Sequence, residues 1–256
     1  MELKAFAIGE GGRGETPSKV FSDKFTDHSY QSMYGMFIGP MANAVAAKGE
    51  KLRFFQIGLG CGMGYGPGAS AFLWKTMFGD RADIWFADYN EKCVAGERAS
   101  GRLDGFGVVT GDQADEATLK RWVAQTKGRF HIVIDDGGHT AQQQQNSFDH
   151  LFQHALQPGG LYFIEDMQCR GAPWLYRFDK DPSDKGLAMA DVIKSWIDQL
   201  LVPDRTDEAE ATSTLRNRFP IPKGIHWIFC QYEACVIAKC IEGVTYCSGQ
   251  ETPERF

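Results

Sequence analysis

The sequence predicts an α/β fold built on a mostly parallel sheet with helices on both faces, and two stretches near the middle of the chain carry that prediction. Ile132–Ile134 and Leu161–Ile164 are short apolar runs without alternation, as expected for strands that are buried on both faces. The residues between them, 140–157, are long enough for a crossover helix, with Leu151 and Leu156 on its packing face. Such a unit places its two strands side by side and parallel.

Each of these predicted strands ends in a pair of acids. Asp135 and Asp136 follow the first strand, Glu165 and Asp166 follow the second, and His139 comes after the first pair through a Gly-Gly turn. The carboxyl ends of neighbouring parallel strands form the edge where open α/β sheets bind ligands. Oxygen-rich clusters suit Mg²⁺, Mn²⁺ or Ca²⁺. The residues alone leave two interpretations open, a site for a hard cation, or a turn followed by a helix cap.

Length and composition indicate a globular protein that acts on a small molecule. The 256 residues can bury a sizeable core, and the net charge of -6 argues against a nucleic-acid partner. No apolar run is long enough to span a bilayer, and the N-terminus lacks the apolar core of a signal peptide. We therefore expect a cytoplasmic protein without nucleic-acid or membrane partners. We divide it into an N-terminal leader and helical lid (1–50) and a main domain (51–256).

The seven cysteines are odd in number, scattered and without a Cys-x-x-Cys pair. This usage favours reduced thiols in a cytoplasmic setting over a disulfide framework or a zinc site. The denser group from Cys230 to Cys247 lies among apolar residues, so we expect small core residues there.

The predicted lid contains a helix face made by Tyr30, Tyr34, Phe37 and Met41. Packing against the main domain is the simplest role for this face, and it could also contribute to a homo-oligomer. Alternatively, residues 27–30 form part of a lid over a cofactor.

A glycine-rich loop follows the first predicted strand, Leu52–Ile57, and begins with Gly58 and Gly60. Glycines at this point let the backbone approach a ligand closely. A dinucleotide G-x-G-x-x-G motif would need glycine at Met63 or at Tyr65. The spacing is therefore closer to an adenosyl-cofactor loop than to a pyrophosphate clamp, and it disfavours a nicotinamide oxidoreductase.

Acidic and polar residues follow the next two predicted strands. Asp88 ends the strand 83–88, where a carboxylate can bind both hydroxyls of a ribose, although it could simply cap the next helix. The strand 107–110 leads to Asp112 and Gln113, which would lie beside an adenine. The order of these elements is far more specific than any one of them.

This order of elements resembles the class I S-adenosylmethionine-dependent methyltransferases, with a Rossmann-like, seven-stranded and mostly parallel sheet and one antiparallel strand near the C-terminus. The closer resemblance is to the metal-dependent sugar O-methyltransferases of the mycinamicin and macrocin type. It covers roughly residues 25–169 and 225–240. The matching segments are TDHSYQSMY, FQIGLGCG with GASAFLW, GDQAD, HIVIDDGGH, PGGLYFIEDM and QYEACVIAK.

The resemblance implies S-adenosylmethionine as cofactor and Mg²⁺ or another hard divalent cation. The implied cofactor contacts are Gly58, Gly60, Asp88, Asp112 and Gln113, with Asp135 nearby; Tyr30 in the predicted lid is a further candidate. The implied cation ligands are Asp136, Glu165 and Asp166. His139 would be the general base, acting together with Asp136. His139 could instead be a turn histidine bonded locally, or a partner that orients the carboxylates.

Three departures from the family pattern bear on this interpretation. The first strand has Gln56 at a position where such enzymes often carry an acid, and the loop 62–68 is unusually rich in glycine. Residues 170–224 do not match and are expected to form a variable insertion that shapes the acceptor pocket, where Trp174, Tyr176 and Trp227 could line it or simply be packed.

We therefore expect an O-methyltransferase assisted by Mg²⁺ that acts on a small hydroxylated molecule, a natural product or sugar of secondary metabolism. Two other functions stay open. The first is a metal-independent N- or C-methyltransferase of a small molecule. The second is a non-catalytic partner subunit that binds the adenosyl cofactor, although a pure binding protein would need no base.

Overall fold

A computed structural model describes residues 22–26, 28–63, 67–171, 188–202, 216–241, 243 and 247–249. The predictions for residues 1–21, Asp27, Tyr65, Trp174 and Tyr176 concern positions outside these residues. The proposed division of the chain at residue 50 and the pocket-forming role of 170–224 stay predictions.

Helices and strands alternate along most of the described chain. The helices are α1 (Asp23–Thr26), α2 (Gln31–Ala47), α3 (Ala69–Phe78), α4 (Glu91–Ala99), α5 (Glu116–Thr126), α6 (Ala141–His154) and α7 (Met189–Leu201). The strands are β1 (Leu52–Ile57), β2 (Ala82–Asp88), β3 (Gly107–Thr110), β4 (Phe130–Asp135), β5 (Leu156–Ile164), β6 (Ile225–Gln231) and β7 (Ala234–Lys239).

The strands form one seven-stranded sheet in the order β3-β2-β1-β4-β5-β7-β6. β1 to β5 are parallel, and β7 is antiparallel to both of its neighbours. From β1 the strand order first runs outward to β2 and β3 and then continues on the other side of β1 with β4 and β5. Open α/β sheets bind ligands at this switch in strand order, between β1 and β4. The predicted fold class, including the antiparallel strand near the C-terminus, is confirmed.

Two apolar layers cover the sheet. On one face, Tyr34 of α2 packs edge-on against Trp74 and Phe163, with ring centroids 5.3 and 5.6 Å away. On the other face, Phe148 of α6 lies 4.8 Å from the ring of Trp196 in α7. All six residues of β4 are buried, including the apolar run Ile132–Ile134 that predicted a strand covered on both faces.

Two sequence expectations about the elements need qualification. Leu156 does not belong to the crossover helix, because α6 ends at His154 and Leu156 starts β5 by pairing with Phe130. The helix α7 buries Val192 and Trp196 in the core, so part of the predicted insertion 170–224 supports the sheet.

The expectation of reduced, scattered thiols is wrong for six of the seven cysteines. The structure contains the disulfides Cys61–Cys93, Cys230–Cys235 and Cys240–Cys247, and Cys169 is free. Spacing could not reveal the first pair, because its cysteines meet only when the parallel strands β1 and β2 lie side by side. The second pair faces itself across the β6–β7 hairpin.

Among the described residues, no helix combines the length and the apolar character that crossing a bilayer requires.

Candidate functional site

The carboxyl ends of β1, β4 and β5 meet at one edge of the sheet. Ile57 pairs with Asp135, and Asp135 pairs with Ile164, so the residues that follow each strand are neighbours. The amide of Asp136 donates to the Ile57 carbonyl at 3.1 Å, and the amide of Glu165 donates to the Asp135 carbonyl at 3.0 Å. The ladder thus continues one residue past the strands and sets the acids beside the glycine loop.

The glycine loop lies against the acid loop. Gly58 has a φ of +95°, and a Cβ atom there would meet the backbone oxygen of Asp136 at 1.9 Å. Gly60 also has a positive φ, +81°. Only glycine satisfies the close approach and the left-handed conformation together at Gly58. This is the structural reason for the glycine that the sequence placed at the end of β1.

Asp88, at the end of β2, is buried and holds the glycine loop from the other side. Its carboxylate accepts hydrogen bonds from the backbone amides of Leu59 at 3.1 Å and of Asn90 at 2.9 Å. A carboxylate has about four acceptor positions, so it can serve two amides and still accept from a ribose. The helix α4 is capped by Asn90, whose side chain accepts from the Cys93 amide at 3.0 Å, so Asp88 is not its cap, and the contact of Asp88 with a ribose stays a prediction.

Gln113 and Asp135 form a buried network behind the loop that follows β4. The Gln113 side chain donates to Asp135 at 2.9 Å and accepts from the Gly138 amide at 2.7 Å. Ser147 and Tyr162 also donate to Asp135. Burial raises the pKa of Asp135 to about 6 although these donors favour its charged form. Both residues support the Gly-Gly turn, and their cofactor contacts stay predictions, as does that of Asp112, which is exposed.

Gln56 connects the glycine loop, helix α3 and the acid loop. Its amide nitrogen donates to the Gly58 carbonyl at 2.9 Å and to Ser70 at 3.0 Å, and it lies 3.4 Å from Asp136. Its amide oxygen accepts from the Trp74 indole at 2.6 Å. A carboxylate could not donate to the Gly58 carbonyl, which explains why an amide suits this position.

Asp136, Glu165 and Asp166 form an acidic cluster that includes a lysine. The Lys24 ammonium of α1 lies 2.6 Å from Asp136 Oδ2 and donates to Glu165 Oε2, and its side chain is 2% exposed. Burial alone would lower the pKa of Lys24, but the charges of Asp136 and Glu165 outweigh it and raise that pKa. Burial raises the pKa of Glu165 to about 7 in spite of Lys24.

Asp166 faces a separate group of side chains. Tyr30 donates its hydroxyl to Asp166 Oδ1 at 2.5 Å and accepts from the Asp166 amide at 3.1 Å. His28 stacks on Tyr30 and lies 3.6 Å from Asp166 Oδ1, with its other ring nitrogen 2.7 Å from Glu233. Asp166 has a φ of +54°, a strained conformation that persists where the surrounding structure enforces it.

His139 approaches the same acid from the Gly-Gly turn. Its Nε2 lies 3.7 Å from Asp166 Oδ2, and its Nδ1 is buried without a hydrogen-bond partner in the described part of the chain. Burial acts to raise the pKa of Asp166, but the charge of His139 and the Tyr30 hydroxyl hold it below its ordinary value. The turn is anchored by Thr140, which caps α6 through a capping box with Gln143.

The structure thus brings the predicted acids and His139 together. Tyr30 contacts Asp166, and the predicted contact of Tyr30 with a cofactor stays a prediction. Lys24 and Glu233 also belong to this group, although no sequence pattern predicted them there. The excess of negative charge at the strand ends is the signal that could have indicated a basic partner, but no periodicity points to a lysine on a four-residue helix.

The cluster fits a hard divalent cation, because such ions prefer carboxylate oxygens as ligands. The adjacent ends of β4 and β5 bring three carboxylates together. Glu165 Oε1 is buried and has no partner among the described residues, as expected for an acceptor meant for another group. Ligand atoms of His139, Asp166 and Cys169 also lie within 4.8 Å of one another. Burial raises the pKa of Cys169 to about 12, so its thiol stays protonated and is a poor ligand.

Comparisons with known proteins show which proteins the chain is similar to. No protein-family model matches the chain. The chain is 36% identical over 157 residues to demethylmacrocin O-methyltransferase of Streptomyces fradiae, covering 60% of this chain and 36% of that protein. It is 34% identical over 191 residues to mycinamicin VI 2''-O-methyltransferase of Micromonospora griseorubida, covering 73% of this chain and 43% of that protein. The chain therefore spans less than half the length of these two relatives.

Solved structures that resemble this chain include a methyltransferase of the same type. The MycE methyltransferase of the mycinamycin pathway, in complex with Mg and S-adenosylhomocysteine, is 26% identical with a TM-score of 0.59, over 85% of this chain and 52% of that one. A second structure of it, which also contains mycinamycin VI, has a TM-score of 0.58. The chain has the class I methyltransferase fold, and in sequence and structure it is similar to sugar O-methyltransferases of the mycinamicin and macrocin type.

Proposed function

We propose that this protein is an S-adenosylmethionine-dependent O-methyltransferase that uses Mg²⁺ and acts on a small hydroxylated molecule, a natural product or sugar. The observation that carries the proposal is the contact between Gly58 and Asp136, which sets an adenosyl-type glycine loop directly against an acidic cluster. Because the chain spans less than half the length of its relatives, the activity of the whole protein is part of the proposal.

The cofactor would lie across the ends of β1, β2 and β3. Gly58 and Gly60 would let its methionine part approach the backbone, and Asp88 would bind the ribose hydroxyls. Asp112 and Gln113 would lie beside the adenine. Asp135 and Tyr30, the remaining candidate contacts, would support the site from β4 and from the N-terminal segment.

Asp136, Glu165 and Asp166 would hold the divalent cation. When bound, such an ion orients two neighbouring substrate oxygens and lowers the pKa of the one to be methylated. The protein itself contributes a rigid arrangement of carboxylates on the ends of two strands. Much of the acceleration in methyl transfer is expected from this positioning.

His139 would remove the proton of the acceptor hydroxyl. Its unpartnered Nδ1 can accept a proton, and Asp166 beside Nε2 stabilises the imidazolium that results. The same arrangement is also compatible with a purely orienting role for His139, which mutation would separate.

Lys24 favours one alternative function. Its ammonium already balances the charges of Asp136 and Glu165, so these carboxylates have a counter-ion without a metal, as in a metal-independent N- or C-methyltransferase. A non-catalytic subunit that binds the adenosyl cofactor is the other alternative. A cytoplasmic location stays part of the proposal, although it loses the support of reduced thiols because of the three disulfides.

Calorimetry of S-adenosylhomocysteine binding, with Mg²⁺ and after EDTA, tests the proposal on wild type and on Asp136→Ala. We expect cofactor binding in both proteins, and a separate Mg²⁺ heat that disappears in the variant. Asp80→Ala, which removes an exposed carboxylate paired with Lys75, is the matched control and should keep the Mg²⁺ heat.

Other outcomes distinguish the alternatives. Cofactor binding without any Mg²⁺ heat would move the assignment to the metal-independent transferase or the non-catalytic subunit. Methyl transfer to nitrogen or carbon acceptors would then decide between those two. The family assignment itself fails if no cofactor binds.

A further inference from the structure

Lys24 forms ion pairs with two members of the acidic cluster. Its ammonium bridges Asp136, after β4, and Glu165, after β5, although it is 112 and 141 residues away from them in sequence. The side chain is 2% exposed, so water does not screen these contacts. Lys24 comes from α1, a helix of four residues that lies outside the sheet.

The ammonium and a divalent cation would use the same oxygens. Lys24 binds Asp136 Oδ2 and Glu165 Oε2, which belong to two of the three proposed cation ligands. A divalent cation bound to these carboxylates would lie close to the Lys24 ammonium, and two positive charges at close range repel each other strongly where water is largely excluded. The cation and the Lys24 ammonium therefore cannot occupy the site together.

The other contacts of the acidic cluster do not depend on Lys24. Glu165 Oε1 is buried without a partner in the described residues, and Asp166 is held by Tyr30 without any bond to Lys24. The contacts of Tyr30 and His28 with Asp166 and Glu233 can thus persist when Lys24 leaves. The lysine side chain has a flexible four-carbon stem, so it can leave without moving the sheet.

We propose that Lys24 is a tethered counter-ion of the acidic cluster and that a divalent cation enters this site only by exchange with the Lys24 ammonium. The inference rests on the proposed function in one respect, because it takes the cluster as the cation site. Without a cation, Lys24 pairs the buried carboxylate of Glu165 and the half-buried carboxylate of Asp136, and an unpaired charge on Glu165 would destabilise the fold. With a cation, the same lysine becomes exposed beside the cofactor edge. Lys24 thereby sets the cation concentration at which the site is filled.

Manganese binding to Lys24→Met tests the exchange directly. Electron paramagnetic resonance reports free Mn²⁺, and we expect the variant to bind Mn²⁺ at least about tenfold more tightly than wild type, because no ammonium has to be displaced. The matched control is Lys75→Met, which removes an exposed lysine paired with Asp80 and should leave the affinity unchanged. Equal or weaker Mn²⁺ binding in Lys24→Met overturns the proposal.

A second measurement uses the wild-type protein, in case Lys24→Met does not fold. Lysine acetylation followed by mass spectrometry reports the accessibility of each amine. We expect Lys24 to react slowly without a cation and several times faster with saturating Mn²⁺, while Lys75 and Lys120, both exposed, react equally in both conditions. Unchanged acetylation of Lys24 contradicts the exchange.

These readouts do not depend on methyl transfer. Tighter Mn²⁺ binding in Lys24→Met together with no binding of S-adenosylhomocysteine would support the role of Lys24 as a counter-ion and reject the proposed transferase. Binding of S-adenosylhomocysteine together with equal Mn²⁺ binding to both proteins would do the reverse, since the Mg²⁺-assisted transferase would survive and the exchange would not.

Discussion

A Cβ atom on Gly58 would lie 1.9 Å from the backbone oxygen of Asp136. The contact joins the loop that would hold the cofactor to the loop that would hold the cation. It exists because β1 and β4 are neighbours in the sheet although they are distant in the sequence. The two halves of the candidate site are therefore coupled through backbone atoms.

Gly58→Ala is expected to damage both halves of the site. The methyl group must push the Asp136 carbonyl away, and alanine is strained at a φ of +95°. We expect a loss of about 2–4 kcal/mol in the free energy of unfolding, measured by urea denaturation. Calorimetry should show weaker binding of S-adenosylhomocysteine as well.

The control for this substitution lies four residues further along the same loop. At Gly62 a Cβ atom would meet nothing within 4 Å, and its φ is not positive. Gly62→Ala should change the free energy of unfolding by less than about 0.5 kcal/mol. Equal losses in the two variants would show that the Gly58 contact does not constrain the loop.

His139→Gln is expected to lower kcat by about 10²–10⁴-fold if the imidazole is the general base. The affinity for S-adenosylhomocysteine should stay close to that of wild type, because His139 faces Asp166 and not the glycine loop. Steady-state kinetics and calorimetry on the same preparation check both expectations. His154→Gln, at the exposed end of α6, serves as the control and should retain full activity. A kcat within a few-fold of wild type would leave His139 with an orienting role only.

Asp135 should make the stability of the protein depend on pH. Burial raises its pKa from 3.8 to about 6, so the folded state binds more protons than the unfolded state between these values. Stability contributed by the protonated group is therefore present below pH 4 and is lost as the pH rises through 6, by roughly 2–3 kcal/mol.

Asp135→Asn tests this dependence. The variant should be less stable at every pH, because its amide nitrogen would face donors from Gln113, Ser147 and Tyr162. Urea denaturation at a series of pH values should show a weaker decrease between pH 4 and pH 6 than in wild type. Identical slopes would mean that Asp135 does not carry the effect.

The disulfide Cys61–Cys93 ties the glycine loop to α4 and closes a segment with a sequence separation of 32. Cys93→Ser is expected to lower the free energy of unfolding by about 3 kcal/mol under oxidising conditions. It should also weaken cofactor binding, since Cys61 lies next to Gly60. Cys169→Ser, which removes the free thiol, is the control for the substitution itself. Peptide mapping without reductant should find Cys61 and Cys93 in one linked product, and two separate free thiols would contradict the pairing.

Local patterns in the sequence were sufficient for most of the elements. Unbroken apolar runs identified β4 and β5 because both faces of a central parallel strand are covered. The glycines at 58 and 60 and the acid at 88 follow strand ends, where chain direction alone predicts a binding edge. These signals are local, and they determined the order of the elements, the fold class and the edge that carries the candidate site.

Contacts between distant segments could be read only from the tertiary structure. Lys24 meets Asp136 and Glu165 because α1 folds onto the ends of β4 and β5, and nothing in the local sequence of a four-residue helix encodes that position. The pairing of Cys61 with Cys93 likewise depends on the adjacency of β1 and β2. By itself the sequence determined which chemical groups reach the carboxyl edge of the sheet. The tertiary structure decided which of them are paired, because pairing depends on distances that only the packed sheet and its covering segments establish.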